Sequence, residues 1–441
     1  METIDLLRSG QLQGIKRLDL AAGLTEFPIE IFDLADSLEI LNLSDNKLRS
    51  LPADLGRLHD LKIIFLSNND FEEVPEVLAD CPNLSMVSFK SNKIRVLGEN
   101  VLPLNVRWLI LTDNQLERLP NSIGQLHKLQ KLMLAGNQLR SLPDEMAACQ
   151  NLELIRLAAN RLESLPSWLF TLPRLSWLAY AGNPCCITNL SATVATIPWA
   201  ELTLADTLGE GASGVISKGV WQSPAQPPTA VAIKIFKGAI TSDGSPADEM
   251  NACIAAGGHP HLVGALGEII DCPDDRSGLI LSLIPADYQN LGNPPSLDSC
   301  TRDTYAVNTS FSIETVLRIT IGIASAVAHL HTQGIMHGDL YAHNILVNES
   351  GHSLLGDFGA ASSYDLSDKI AGAALERSEV RAFGCLLEDL LERAQVPSAE
   401  ADKQIFSRLN KLQQDCLQTI PAARPLFIEI DRILAEITTK E

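Results

Sequence analysis

In the first half of the chain, aliphatic residues return in a frame of fixed spacing. One copy reads Leu38, Leu41, Leu43, Asn46, Leu48, Leu51 and Pro52, another Leu129, Leu132, Leu134, Asn137, Leu139, Leu142 and Pro143. The asparagine recurs at Asn46, Asn69, Asn92, Asn114, Asn137, Asn160 and Asn183, with Gly23 in the equivalent place of an irregular first copy; the period is 23 residues, once 22. Such spacing predicts short strands, each with one apolar face. A strand of that length cannot bury its face alone, so the units must stack into a solenoid with a shared core. A buried asparagine ladder would hydrogen-bond the backbone of adjacent turns, and the Leu-Pro pair would end each turn. Positions between the inward leucines then face solvent on the concave side. Ile63, Phe65, Met86, Trp108, Ile110, Met133, Leu154 and Trp177 predict a contiguous apolar stripe there, suited to a partner protein or to the second domain of the same chain.

The repeat stops at Asn183-Pro184, and the segment running to Trp199 has no period and no Gly/Ser tract. These shifts divide the chain into repeats over 1–185, a linker over 186–200 and a second domain over 201–438. The second domain opens with a strand, LTLADTL, followed by Gly209-Glu210-Gly211-Ala212-Ser213-Gly214. By itself that glycine pattern fits either a dinucleotide-binding turn or a phosphate-covering hairpin. A dinucleotide turn leads straight into a helix, whereas here a second strand follows, AVAIKIF, carrying Lys234. The hairpin is therefore the better reading, with backbone N–H groups near phosphates and Lys234 as a point charge on their oxygens.

Charge narrows the partners. Of 34 basic and 54 acidic residues, 18 and 23 fall in 1–200 and the remaining 16 and 31 in 201–441, so the net of -20 belongs mainly to the second domain. Nucleic-acid backbone and anionic membrane are disfavoured as main partners, and basic or neutral partners of the second domain are favoured over acidic ones. Nine cysteines without CxxC spacing suit a reducing, cytoplasmic setting. Charges at Glu2, Asp5 and Arg8 interrupt any signal-peptide core, and no membrane span is expected.

Further on, His337-Gly-Asp339-Leu-Tyr-Ala-His343-Asn344 precedes Asp357-Phe358-Gly359. With the glycine-rich loop and the strand lysine, these motifs occur in an order and spacing that resemble the protein kinase superfamily. The first half likewise resembles the leucine-rich-repeat family. Together they imply an α/β leucine-rich-repeat solenoid followed by an α+β two-lobed protein-kinase-like domain. The resemblance implies ATP with Mg2+, or Mn2+, as cofactors. Asn344 and Asp357 would hold the metal, Asp339 would orient the acceptor hydroxyl, and Lys234 would pair with Glu249, with Asp248 as fallback. It also implies nucleotide contacts from 209–214, Ile216 and Ala232, from Leu281 and Leu283 at the hinge, and from Asp287 toward the ribose.

Four features depart from the kinase pattern. Gly338 replaces the arginine that pairs with a phosphorylated activation loop, so loop phosphorylation is not expected to be the main control. Tyr341 stands where serine/threonine kinases keep a lysine, and His343 is expected to supply that missing positive charge. Only a short stretch separates Gly359 from Glu379, which takes the place of the family's helix-anchoring aspartate. Finally, an insertion over 288–312 lies near the substrate cleft. The leading reading is an ATP-dependent protein kinase, serine/threonine before tyrosine, regulated by its repeats in signal transduction. A nucleotide-binding pseudokinase scaffold is the alternative, and a small-molecule kinase a third.

Overall fold

The computed structural model describes residues 3–186, 194–211, 213–223, 227–238, 240–241 and 243–438. Two compact units emerge: Met1–Arg174 with Asn183–Cys185, and Leu175–Gly182 with Cys186–Glu441.

The first unit is built on seven three-residue parallel strands, from Arg17–Asp19 to Leu154–Arg156. Their middle residues, Leu18, Leu41, Ile64, Val87, Leu109, Leu132 and Ile155, are register partners and are 0–2% exposed. The asparagines close each turn as the spacing predicts. Asn69 donates to the carbonyl of Leu43 in the preceding repeat (2.9 Å) and to Leu66 (3.2 Å), while its Oδ1 accepts the N–H of Leu48 (2.9 Å). Just ahead of the asparagines, Asp45, Asn68, Ser91, Asp113, Gly136 and Ala159 all have left-handed φ between 53° and 69°, the sharp turn that returns the chain from the strand. Prolines such as Pro75, Pro120 and Pro143 open short 3-10 helices, where a fixed φ costs nothing.

The apolar stripe differs from its expected form. Met86, Met133, Leu154 and Trp177 are buried, not solvent-facing, while Ile63, Phe65, Trp108 and Ile110 are half-buried. Strand spacing of about 4.8 Å brings register partners such as Ile63, Met86 and Trp108 side by side. Register also splits the stripe into two columns, one interrupted by Lys131, whose ammonium sits 4.1 Å over the Trp108 ring, the other by Ser88 and Arg156. The repeat period already places Lys131, Ser88 and Arg156 in these columns, and the parallel register brings them side by side with the apolar residues.

In the second unit a six-stranded sheet runs in the order Leu202–Glu210, Gly214–Trp221, Thr229–Phe236, Gly278–Ser282, Ala265–Ile270, Ala195–Pro198. The last of these comes from the segment read as linker. It pairs parallel with Ala265–Ile270 and buries Ile197 among Val231, Ile233, Ile269 and Ile280. The helix Pro246–Ala256 starts at Ser245, whose hydroxyl accepts the N–H groups of Ala247 and Asp248, and Pro246 supplies a preset φ. A helical half holds Ile313–Thr332, Lys369–Glu392, Glu400–Cys416 and Phe427–Thr438. Ile313–Thr332 is long and apolar enough in composition to cross a membrane, and here most of it is packed inside the fold.

Candidate active site

A cleft of about 670 Å³ lies between the sheet and the helical half of the second unit, a size usual for small-molecule sites. The hairpin supplies its roof. Gly209, Glu210 and Gly211 line it, and a side chain at Gly209 or Gly211 would meet nothing within 4 Å, so their backbone is open toward a ligand. Gly214 serves packing, since a Cβ there would lie 2.5 Å from the Ile235 carbonyl. Lys237 ties the loop down through Glu210 (2.6 Å) and the Gly211 carbonyl (3.1 Å).

Lys234 ion-pairs with Glu249, and both side chains are largely buried. The helix face decides this choice. Glu249, Ala252, Cys253 and Ala256 lie buried along it with Pro246, whereas Asp248 is half-buried. Burial pushes the Glu249 carboxyl above its ordinary range, opposed by the Lys234 charge and reinforced by nearby Asp357. The pair and Asp357 therefore share one electrostatic environment.

On the floor, the amide of Asn344 donates to the Asp339 carboxylate (2.8 Å) and to its own loop at the Asp339 carbonyl (3.0 Å). With that nitrogen committed, the Asn344 oxygen remains for a cation. Asp357, in a left-handed conformation with φ 56°, offers a carboxylate across the cleft. Two hard oxygen donors facing a glycine-lined roof suit a hard divalent cation.

The loop 337–344 is anchored from below by Glu379, which is 1% exposed. Its carboxylate accepts the N–H of Gly338 (2.7 Å) and of His337 (3.1 Å). Burial alone would raise the Glu379 carboxyl, but His331, His337 and the Gly338 N–H outweigh it and hold the group below its ordinary range. His337 Nδ1 accepts the Asp339 N–H (3.3 Å), which leaves Nε2 to donate to the Gly356 carbonyl (2.9 Å). The two halves of the site are thereby linked through one imidazole.

His343 lines the cleft, and the 288–312 insertion reaches it: Asp303 lies 2.7 Å from Nδ1 and accepts the His343 N–H (3.2 Å). Arg302 fastens the insertion to the long helix through Glu388 and Asp389, each at 2.7 Å. Burial would lower the His343 pKa, yet Asp303, with Asp339 and Asp357 behind it, raises it.

Of the residues singled out from sequence, Gly209, Glu210, Gly211, Ile216, Ala232, Lys234, Glu249, Leu281, Leu283, His343, Asn344 and Asp357 line this single cleft. Asp339 joins it through Asn344. Ser213 and Gly214 sit behind the roof, with Ser213 hydrogen-bonded to Glu249. Asp287 is exposed and outside the lining, where Tyr288 and Asn290 stand instead; the turn after Pro285 points it to solvent. Ala212 lies outside the described residues. Cys253 and Leu346 also line the cleft. Spacing could have found both, since Cys253 is four residues after Glu249 on one helix face and Leu346 two after Asn344 on a strand. Nothing in the sequence marked Asp303.

Comparison with known families agrees with this geometry. Residues 202–381 match the protein tyrosine and serine/threonine kinase family, and residues 36–94 and 127–184 match the leucine rich repeat family. The chain joins leucine-rich repeats to a protein kinase domain. Similar proteins include the probable inactive serine/threonine-protein kinase roco10 of Dictyostelium discoideum, 35% identical over 26% of this chain and 5% of that protein. The probable serine/threonine-protein kinase gdt4 of the same organism is 26% identical over 57% of this chain and 17% of its own length. Fibroblast growth factor receptor 1 of Xenopus laevis is 25% identical over 55% of this chain and 36% of the receptor. The chain thus spans little of the length of the curated relatives it matches. A protein kinase domain in general uses ATP with a divalent cation, and the oxygen donors of this cleft suit both.

Proposed function

We propose that this protein kinase domain is active and transfers the terminal phosphate of ATP to protein hydroxyls, serine or threonine before tyrosine. One observation carries the reading: the Lys234–Glu249 ion pair and the Asp339–Asn344 hydrogen bond exist together around one cleft with Asp357. Phosphoryl transfer depends on positioning and charge neutralisation, and both need that pair and that aspartate assembled at once. In this reading Lys234 neutralises phosphate oxygens, Asn344 and Asp357 hold the divalent ion, and Asp339 accepts the proton of the attacking hydroxyl. His343, with its raised pKa, supplies the charge given elsewhere by a lysine at the Tyr341 position. The repeats offer a docking surface for a partner protein through one column around Ile63 and Trp108 and another around Phe65 and Ile110, without Trp177, which is buried. Nine free thiols, six of them buried, suit a reducing cytoplasm.

A nucleotide-binding scaffold without transfer is the competing reading, and one observation favours it: Tyr341 is buried and stacked, so it cannot touch a transferred phosphate. Incorporation of labelled phosphate from ATP and Mg2+ into a basic protein acceptor decides between them. The active reading expects Asp339→Asn to lose roughly 10²- to 10⁴-fold, the worth of a positioned general base. No label in either protein would support the scaffold, and equal label in both would overturn the role given to Asp339.

A further inference from the structure

The second unit contains one stretch written in the repeat frame, Leu175–Gly182, with the strand Trp177–Ala179. We infer that this segment holds the catalytic loop in its working shape, with Trp177 as the positioning residue, in place of a phosphorylated activation loop. The inference deepens the transfer reading above and rests on it.

Every residue around Asp339 that departs from the kinase pattern meets this segment. The Trp177 indole lies parallel to the Tyr341 ring, centroids 4.3 Å apart and planes 7° apart. Its Nε1–H donates to the Leu340 carbonyl at 3.1 Å, so one side chain grips both residues that follow the aspartate. On the other side stands Gly338, with φ +74°, and a Cβ built there would fall 2.5 Å from the Leu178 carbonyl and 2.6 Å from that of Ala360. An arginine has no room in that place. The position that would read a phosphorylated loop is filled by the backbone of Leu178, and the position of the usual lysine by a ring that Trp177 stacks on.

The same stretch binds the start of the activation segment. Tyr180 N–H donates to Ser362 Oγ (2.9 Å) and the Tyr180 hydroxyl to the Ser363 carbonyl (3.3 Å). Ser362 and Ser363 in turn pair with Met336 and Ile335, just ahead of the catalytic loop. Three pieces that must hold their mutual geometry for transfer, 335–336, 338–341 and 360–363, are therefore held by one element.

A route to the chemistry exists as well. The Tyr341 ring lies 5.0 Å from the His343 ring, and His343 is fixed on its far side by Asp303. Trp177, Tyr341 and His343 form a continuous row of aromatic contacts, the first pair stacked and the second tilted by 31°, that ends in the cleft. Without the indole, Tyr341 loses its covering face, Leu340 its donor, and His343 one of its two supports.

The test compares Trp177→Ala and Trp177→Phe with the parent in the full chain. Three quantities are measured: phosphate transfer to a basic protein, affinity for a fluorescent ATP analogue, and hydrogen exchange of backbone amides. Trp177→Ala should lower kcat on the order of tenfold to a hundredfold, as expected for a misplaced catalytic loop. Nucleotide affinity should stay within about twofold, because the lysine strand is not touched. Amides of 338–344 should exchange about tenfold faster while those of 229–236 stay unchanged. Trp177→Phe, which keeps the stack, should recover most of kcat. A Trp177→Ala protein with equal or higher kcat, or with unchanged protection over 338–344, overturns the inference. So does a Trp177→Phe protein as impaired as the alanine variant. A parent that transfers no phosphate, with protection still lost in Trp177→Ala, would remove the transfer reading and leave the positioning role standing.

Discussion

Asp303 holds His343 at two points: one carboxylate oxygen lies 2.7 Å from Nδ1 and the other accepts the His343 N–H at 3.2 Å. An acidic residue from the insertion thereby fixes an imidazole of the catalytic loop and favours its charged form. The folded pKa is raised above the ordinary 6.5. The pair therefore stabilises the fold fully below the unfolded value, and that contribution is lost as pH rises through the raised folded value. Transfer should decline over the same interval. In Asp303→Asn both the decline in rate and the loss of thermal stability move to lower pH, measured as a pH–rate profile and as Tm against pH. A profile identical to that of the parent would separate His343 from the chemistry.

Breaking the Lys234–Glu249 pair leaves one charge buried without its partner, at a cost of roughly 3–5 kcal/mol. Lys234→Met and Glu249→Leu should each lower Tm and abolish transfer. The double variant should be more stable than either single one, since no buried charge is left alone, and still inactive. Thermal unfolding together with labelled-phosphate incorporation checks both halves of the prediction.

Gly338 is required by both its backbone and its surroundings. Its φ of +74° disfavours a side chain, and a Cβ would meet two carbonyls closer than 3 Å. Gly338→Ala should destabilise the chain by about 1–3 kcal/mol in denaturant unfolding. Gly209→Ala, where a Cβ meets nothing within 4 Å, should leave unfolding unchanged within experimental scatter.

In the solenoid, Asn137 satisfies three backbone groups: it donates to Leu111 and Leu134 (2.9 Å each), and its Oδ1 accepts the N–H of Leu116 (3.0 Å). Asn137→Ala orphans all three in a dry interior and should cost about 2–4 kcal/mol. Denaturant unfolding of the full chain is the measurement, and Asn160→Ala should behave alike, because its contacts repeat those of Asn137.

Cys253 lines the cleft, but burial pushes its thiol up to about 12. The thiol therefore stays protonated at pH 8, so alkylation by iodoacetamide should be far slower than at an exposed cysteine. Peptide mapping after brief labelling reads this directly, with and without an ATP analogue.

Much of the site was legible from residue spacing. Lys234, Asn344 and Asp357 stand in motifs whose order is fixed by the chain, and Glu249 falls on the buried face of a helix that its cap and proline already announce. Asp303 was not legible. It sits in a turn-rich insertion, and only folding brings it to a histidine 40 residues away. Asp287 lies exposed and outside the cleft lining, because proximity to the hinge in sequence does not say which way a turn points.

The sequence alone determined the repeat, its inward register and the asparagine ladder. In a solenoid each unit meets only its neighbours, so one period written into the chain carries the whole core. The tertiary structure alone decided what becomes of Trp177, which periodicity counted with the solvent-facing stripe. It is buried on Tyr341 and bonded to a carbonyl 163 residues distant. A contact across that separation leaves no periodic trace, because its two ends are brought together by the packing of the folded chain and not by any local preference of their own.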